Sequence, residues 1–80
     1  MKSVKVHYFA LLQDLSHKKS ESIETELKTY YDLYLFLDSK YSFQLPAEMI
    51  QLAVNDEFAN LNSDIKENSK IVFIPPVAGG

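Results

Sequence analysis

The chain begins with an alternating pattern of apolar and polar side chains. Residues 4–8 alternate valine or tyrosine with lysine or histidine, and this period of two predicts a β-strand. A second alternation over residues 23–27 predicts another strand, which pairs antiparallel with the first. Residues 10–15 predict a short helical turn, and the polar residues 16–20 predict a loop. We expect three acidic residues to form a solvated strand face: Glu21, Glu24 and Glu26.

A helical pattern follows the second strand. Thr29 is the predicted N-cap, and Asp32 lies in the first turn, where the helix dipole favours an acid. Residues 42–51 have no regular period, and Pro46 predicts only a short helical turn there. The residues that recur at helical spacing are Tyr30, Leu33, Tyr34, Leu37 and Tyr41.

Residues 52–54 and 57–59 predict a β-hairpin. The two residues between these strands, Asn55 and Asp56, have side chains that tolerate the left-handed backbone of a tight turn. Further loops are expected over the mostly polar residues that follow, at 61–64 and 67–69.

A continuous apolar run over residues 71–74 is typical of a central strand. Pro75 and Pro76 end it because neither can donate a hydrogen bond to a ladder. The order of elements predicts an α+β fold, a mixed sheet with one main helix packed on one face. Residues 1–80 then form a single domain. If the last strand lies parallel beside the first, a flexible tail of about residues 75–80 leaves the middle of the sheet.

Composition and charge narrow the functional classes. The chain has 46% apolar and 24% charged residues, no cysteine and a formal net charge of −3. Its eight basic residues form no stripe that would neutralise phosphates, so nucleic acid is not an expected partner. No apolar run nears the roughly 20 residues of a membrane span. The lack of a secretory-signal pattern and of cysteine predicts a cytoplasmic protein. His7 and His17 lack ligand spacing, so no metal site is expected.

The only two glycines of the chain stand at its end, in the segment Pro75-Pro76-Val77-Ala78-Gly79-Gly80. A chain of this size would average roughly five or six glycines. Without Cβ atoms around the terminal carboxylate, a narrow channel could admit the bare backbone, and the prolines favour an extended, projecting segment. The α-carboxylate of Gly80 is inert as an acyl donor until another enzyme activates it, for instance as an acyl-adenylate. The competing interpretation is an incidental frayed terminus.

The segment Ile71 to Gly80 resembles the C-terminus of the small subunit of molybdopterin synthase, a family of ubiquitin-like sulfur carriers often called MoaD. The opening strand into Phe9-Ala10 and the segment 52–55 also resemble that family. The turn Glu67-Asn68-Ser69-Lys70 departs from it, because the family often has an acidic pair around glycine there. The resemblance implies a ubiquitin-like β-grasp fold.

The resemblance also implies a chemistry and a set of partners. An adenylating enzyme related to the ubiquitin-activating proteins would use ATP to convert the Gly80 carboxylate into an acyl-adenylate, and a sulfur donor would then make a thiocarboxylate. The loaded tail would enter the large subunit of molybdopterin synthase and give sulfur to cyclic pyranopterin monophosphate, in molybdenum cofactor biosynthesis. The implied complex is a heterotetramer of two small and two large subunits. The chain alone would bind no cofactor and catalyse nothing.

Phe9, Phe58 and Ile74 are the predicted partner interface. If the apolar residues of the first strand face the helix, His7 and Phe9 lie on the open face of the sheet, where Phe58 and Ile74 can join them near the root of the tail. An equally consistent interpretation makes these three residues part of the core.

Three other functions remain open from the residues. One is a sulfur carrier of another pathway, such as thiamine synthesis, and another is a ubiquitin-like modifier that forms isopeptide bonds to lysines. The last is a plain β-grasp binding module whose tail is incidental.

Overall fold

The computed structural model of the chain describes residues 1–76. Most of the predicted elements are confirmed, although β2 begins inside the predicted loop 16–20 and ends before Leu27. The elements are β1 Lys2–Tyr8, α1 Leu11–Ser16, β2 Ser20–Thr25, α2 Tyr30–Tyr41, a 3₁₀ helix at Ala47–Met49, β3 Gln51–Val54, β4 Glu57–Ala59 and β5 Lys70–Ile74.

The strands within residues 1–76 form one mixed sheet in the order β2-β1-β5-β3-β4. β1 pairs antiparallel with β2, as predicted, and β3 pairs antiparallel with β5 and β4. β1 also pairs parallel with β5, which is the condition under which the tail was expected to leave the middle of the sheet. β5 therefore lies in the middle of the sheet. The β3–β4 turn at Asn55 and Asp56 has φ of 52° and 71°, which confirms the predicted tight hairpin.

One face of the sheet packs against α2 to form the core. Burying a large apolar side chain of this kind contributes roughly 1.5–3 kcal/mol. The core combines alternate residues of β1 and β5 with the inward side of α2: Val4, Val6, Tyr8, Ile71, Phe73, Tyr30, Leu33, Tyr34 and Leu37.

The ends of α2 follow from local side chains and backbone. The Thr29 hydroxyl accepts a hydrogen bond from the Asp32 N–H at 3.1 Å, which confirms the predicted N-cap. At the other end, Ser42 takes the left-handed conformation with φ of 57°, and its N–H donates to the Asp38 carbonyl at 2.7 Å. The helix therefore presents a fixed face to the sheet.

Glu21 contradicts the predicted solvated acidic face. It lies on the inward face of β2, where its carboxylate accepts hydrogen bonds from the hydroxyls of Tyr8 and Tyr41, and Lys18 Nζ lies 3.2 Å from its Oε1. Partial burial opposes the charged form of Glu21. The hydrogen bonds from Tyr41, Tyr8 and Lys18 outweigh that cost, so the pKa of Glu21 lies below its ordinary value.

Candidate functional site

The C-terminal segment has its root in the centre of the sheet. β5 is hydrogen-bonded to β1 on one side and to β3 on the other, and its last pair joins Ile74 to Gln51. Pro75 is buried and Pro76 is exposed, and both follow the end of β5 at Ile74. The predicted tail residues that lie outside the described part of the chain are Val77, Ala78, Gly79 and Gly80.

A row of side chains crosses the face of the sheet opposite α2. The pairing register places His7 beside Val72, Val72 beside Ala53, and Ala53 beside Phe58. Paired residues of neighbouring strands point to the same face. The row therefore runs from β1 across β5 and β3 to β4.

Apolar side chains gather at the end of this face that lies next to the root of the tail. A shallow groove of about 280 Å³ is bounded there by Asp56 and by five apolar residues, which we call the outer patch: Phe9, Ala53, Phe58, Val72 and Ile74. The Phe9 residue is 57% exposed and Phe58 is 77% exposed. Large apolar side chains exposed next to one another are typical of interaction surfaces.

The structure brings the three predicted interface residues together around this groove. The exposure of Phe9 and Phe58 excludes the interpretation that these two are core residues, while Ile74 is half-buried. Their role in binding a partner stays a prediction. Ala53 and Val72 were missed because only the strand register, which the sequence did not specify, places them beside Phe58.

Charged groups border the outer patch near His7. Lys70 Nζ lies 3.0 Å from Asp56 Oδ1 across the β3–β4 turn. The pKa of His7 is lowered, first by partial burial and next by the positive charges of Lys70 and Lys5. The negative charge of Asp56 has the opposite, smaller effect. Because the ordinary pKa of His7 is 6.5, its side chain is mainly neutral at pH 7. A neutral imidazole is compatible with an apolar contact.

Two further properties concern residues 1–76 only. No cluster of three or more His, Cys, Asp or Glu side chains in this part of the chain could hold a metal ion. Its helices are all too short or too polar to cross a bilayer.

The sequence profile of the ThiS family matches residues 6–80. The chain belongs to the ThiS family. This ThiS-family chain is 33% identical over 84 residues to the molybdopterin synthase sulfur carrier subunit of Caenorhabditis briggsae, and the alignment covers 100% of both proteins. The resemblance predicted from the residues of the tail is therefore confirmed.

Solved structures of similar chains identify the fold. The putative molybdopterin converting factor subunit 1 of Pyrococcus furiosus matches with a TM-score of 0.80 at 24% identity, over 96% of this chain and 100% of that one. A chain in the complex of subunits 1 and 2 of the molybdopterin-converting factor of Helicobacter pylori matches with a TM-score of 0.65 at 25% identity, over 98% and 99% of the two chains. The ThiS-family chain has the predicted ubiquitin-like β-grasp fold.

Proposed function

We propose that this chain is the sulfur-carrier small subunit of a cytoplasmic molybdopterin synthase, with Gly80 as the residue that carries sulfur. The observation on which the proposal rests is the position of the root of the tail, at the end of the central strand β5 and directly beside the exposed outer patch. A partner that covers the patch is then placed to receive the tail. The full-length similarity to a subunit named for this role supports the choice of cargo.

The chemistry takes place at the Gly80 carboxylate, in two enzymes other than this chain. An adenylating enzyme joins the carboxylate to the AMP part of ATP and releases pyrophosphate. A sulfur donor then displaces AMP and leaves a thiocarboxylate. In the large subunit, the thiocarboxylate sulfur attacks a carbon of cyclic pyranopterin monophosphate and displaces an oxygen substituent from it, which leaves sulfur joined to both the pterin and the Gly80 acyl group. Water then hydrolyses this thioester, leaves the sulfur on the pterin and restores the Gly80 carboxylate. Two such deliveries supply both sulfurs of the dithiolene.

The residues of the chain itself position the carrier group. β5 gives the tail a rigid base, because ladders on both sides hold that strand. The five residues from Pro76 to Gly80 span about 16 Å when extended, enough to reach into a cleft of a protein docked on the outer patch. Pro76 lowers the entropy that the tail loses on entry, since its φ is already restricted.

The proposed partners are the large synthase subunit and the adenylating enzyme. The complex of subunits 1 and 2 from Helicobacter pylori supports the first of these. The same proposal includes three further points. The assembly contains two small and two large subunits, only the adenylating enzyme uses ATP, and this chain binds no cofactor.

Deletion of Gly80 tests the proposal. The chain is mixed with the adenylating enzyme, ATP, a sulfur donor, the large subunit and the pterin precursor, and intact mass and pterin product are measured. We expect the mass of the full chain to increase by the difference of one oxygen-to-sulfur exchange, and we expect molybdopterin to form. The deleted chain should do neither and keep its melting temperature, because Gly80 is six residues past Ile74 in the sequence, where β5 ends.

The other candidate functions give different results in the same experiment. A sulfur carrier of another pathway would gain the mass of one exchange without forming molybdopterin. A protein modifier would form covalent products of higher mass. Full molybdopterin synthesis by the chain that lacks Gly80 would overturn the proposed role of that residue.

A further inference from the structure

β4 is an edge strand with unpaired backbone groups. In its two-residue hairpin with β3, Val54 and Glu57 form the closing hydrogen-bonded pair. Phe58 is the next residue, opposite Ala53, so its N–H and C=O point away from β3. Within residues 1–76, no strand pairs with that side of β4 and no backbone bond joins Phe58 to a loop.

A second groove, of about 580 Å³, lies beside this edge of the sheet. Buried Ile50 and Leu52 contribute to its lining, together with half-buried Tyr31 and Leu61. The only charged residue among those that line it is Glu48, which is exposed. We call it the edge groove. Its composition suits an apolar side chain accompanied by a basic one.

Phe58 connects the edge groove to the outer patch, because it lines both. The edge groove also reaches Gln51, the residue paired with Ile74 at the root of the tail. The two surfaces and the root of the tail therefore lie at the same end of the sheet. A partner that covers the outer patch and receives the tail must also approach the β4 edge.

Such a partner would remove water from the backbone of Phe58. A buried N–H or C=O that loses water without gaining a protein partner weakens binding. An extended strand is the element that satisfies both groups of one edge residue at once, as in other complexes where a strand is added to a sheet. The unpaired edge and the adjacent groove thus favour a strand over a helix at this position.

We propose that the β4 edge binds one extended strand of the protein that covers the outer patch, with an apolar side chain in the edge groove and a basic side chain beside Glu48. This inference rests on the proposed function, since that protein is the large synthase subunit. The added strand donates one hydrogen bond to the Phe58 carbonyl and accepts one from the Phe58 N–H.

A pair of substitutions at one position separates the backbone from the side chain. Phe58→Ala removes the ring from the outer patch and keeps the N–H, whereas Phe58→Pro removes the ring and the N–H. Proline is tolerated on an edge strand where the N–H faces solvent. We expect Phe58→Pro to bind the large subunit roughly fivefold more weakly than Phe58→Ala, the effect of one hydrogen bond.

Amide exchange of the wild-type chain gives a second measurement that needs no substitution. The Phe58 amide should exchange fast in the free chain and become protected when the large subunit is added. Protection that instead grows with the concentration of the chain alone would mean that a second copy occupies the edge, and would overturn the inference.

Charge reversal tests the basic residue. Glu48→Lys should weaken binding to the large subunit roughly two- to fivefold, the range of an exposed ion pair. The matched control is Glu24→Lys, which makes the same change on β2 at the opposite edge of the sheet and should leave the affinity unchanged.

The outcomes distinguish this inference from the function on which it rests. The added strand would be overturned if Phe58→Pro and Phe58→Ala bound with equal affinity and the Phe58 amide stayed unprotected in a complex that still forms. The proposed role as a sulfur carrier would be unaffected by that result. Failure of the wild-type chain to bind the large subunit would overturn both.

Discussion

At the residue scale, the chain makes its turns without glycine. Seven non-glycine residues among residues 1–76 have positive φ: Ala10, His17, Ser42, Gln44, Asn55, Asp56 and Asn68. Asn and Asp tolerate this backbone well. Ala10 does not, since its φ of 51° and ψ of −121° fall in a region that glycine enters most readily. The backbone is therefore strained immediately after Phe9 of the outer patch.

Replacing Ala10 with glycine should stabilise the fold. Ala10→Gly relieves the steric conflict of the Cβ atom, and we expect the free energy of unfolding to rise by about 1 kcal/mol in denaturant titrations. The control is Ala53→Gly, the same change inside β3, which should lower stability by about 0.5–1 kcal/mol. A loss of stability in both variants would contradict the strain at Ala10.

At the element scale, Glu21 on β2 connects to β1, to α2 and to the loop that precedes its own strand. Tyr8 on β1, Tyr41 at the end of α2 and Lys18 in the loop before β2 all donate to its carboxylate. Lys18 also donates to the Tyr41 hydroxyl at 3.1 Å. This cluster holds the end of α2 against β1 and β2. It lies on the inward face of the sheet, opposite the face that carries the outer patch.

Acid should release this cluster. Because the pKa of Glu21 is lowered in the folded chain, its stabilising effect is present above the ordinary value of 4.5 and is lost as the pH falls through the folded-state pKa. Glu21→Gln should lower stability at pH 7 by about 2 kcal/mol and flatten the loss of stability below pH 4.5. Thermal unfolding across that range measures both effects.

Glu24→Gln is the matched control for this prediction. Glu24 lies on the same strand but is exposed on the other face, so its substitution should leave the stability and its slope with pH nearly unchanged. Equal slopes in the wild type and in Glu21→Gln would contradict the role of the cluster.

Local sequence patterns were sufficient to predict the helices and strands. They did not predict the contacts between residues that are distant in sequence. The hairpin at Asn55 and Asp56 and the cap at Thr29 depend on neighbouring residues, so the sequence was sufficient. The environment of Glu21 depends on α2 and β1, and its partners could not be read from β2 alone. The same holds for Val72, which joins the outer patch only through the register of β5 with β3.

At the scale of the whole molecule, the two faces of the sheet serve different purposes. The inner face packs against α2 and holds the core, whereas the outer face carries exposed aromatic rings beside the root of the tail. Substitutions on the outer face can therefore change binding with little effect on folding. This separation also explains why part of the outer face could be predicted from the alternation in β1, which assigns His7 and Phe9 to the face opposite Val6.

A charge in the outer patch should weaken binding strongly without unfolding the chain. Phe9→Glu is expected to weaken binding to the large subunit at least tenfold, since an acid would be buried in an apolar contact, and to change the melting temperature only slightly. The control is Phe36→Glu on α2, where the ring is 50% exposed and lies outside the patch. Equal affinities of the two variants in titration calorimetry would argue against the patch as the interface.

The parallel pairing of β1 with β5 has a mechanical consequence. The two strands run in the same direction, so opposite forces applied at Lys2 and at Ile74 pull them past each other along their length. All hydrogen bonds of the ladder then resist the load together in shear, whereas a hairpin pulled from its open end unzips one bond at a time. The proposed entry of the tail into successive active sites, and its withdrawal, would therefore load the fold in the direction in which the β1–β5 ladder resists best.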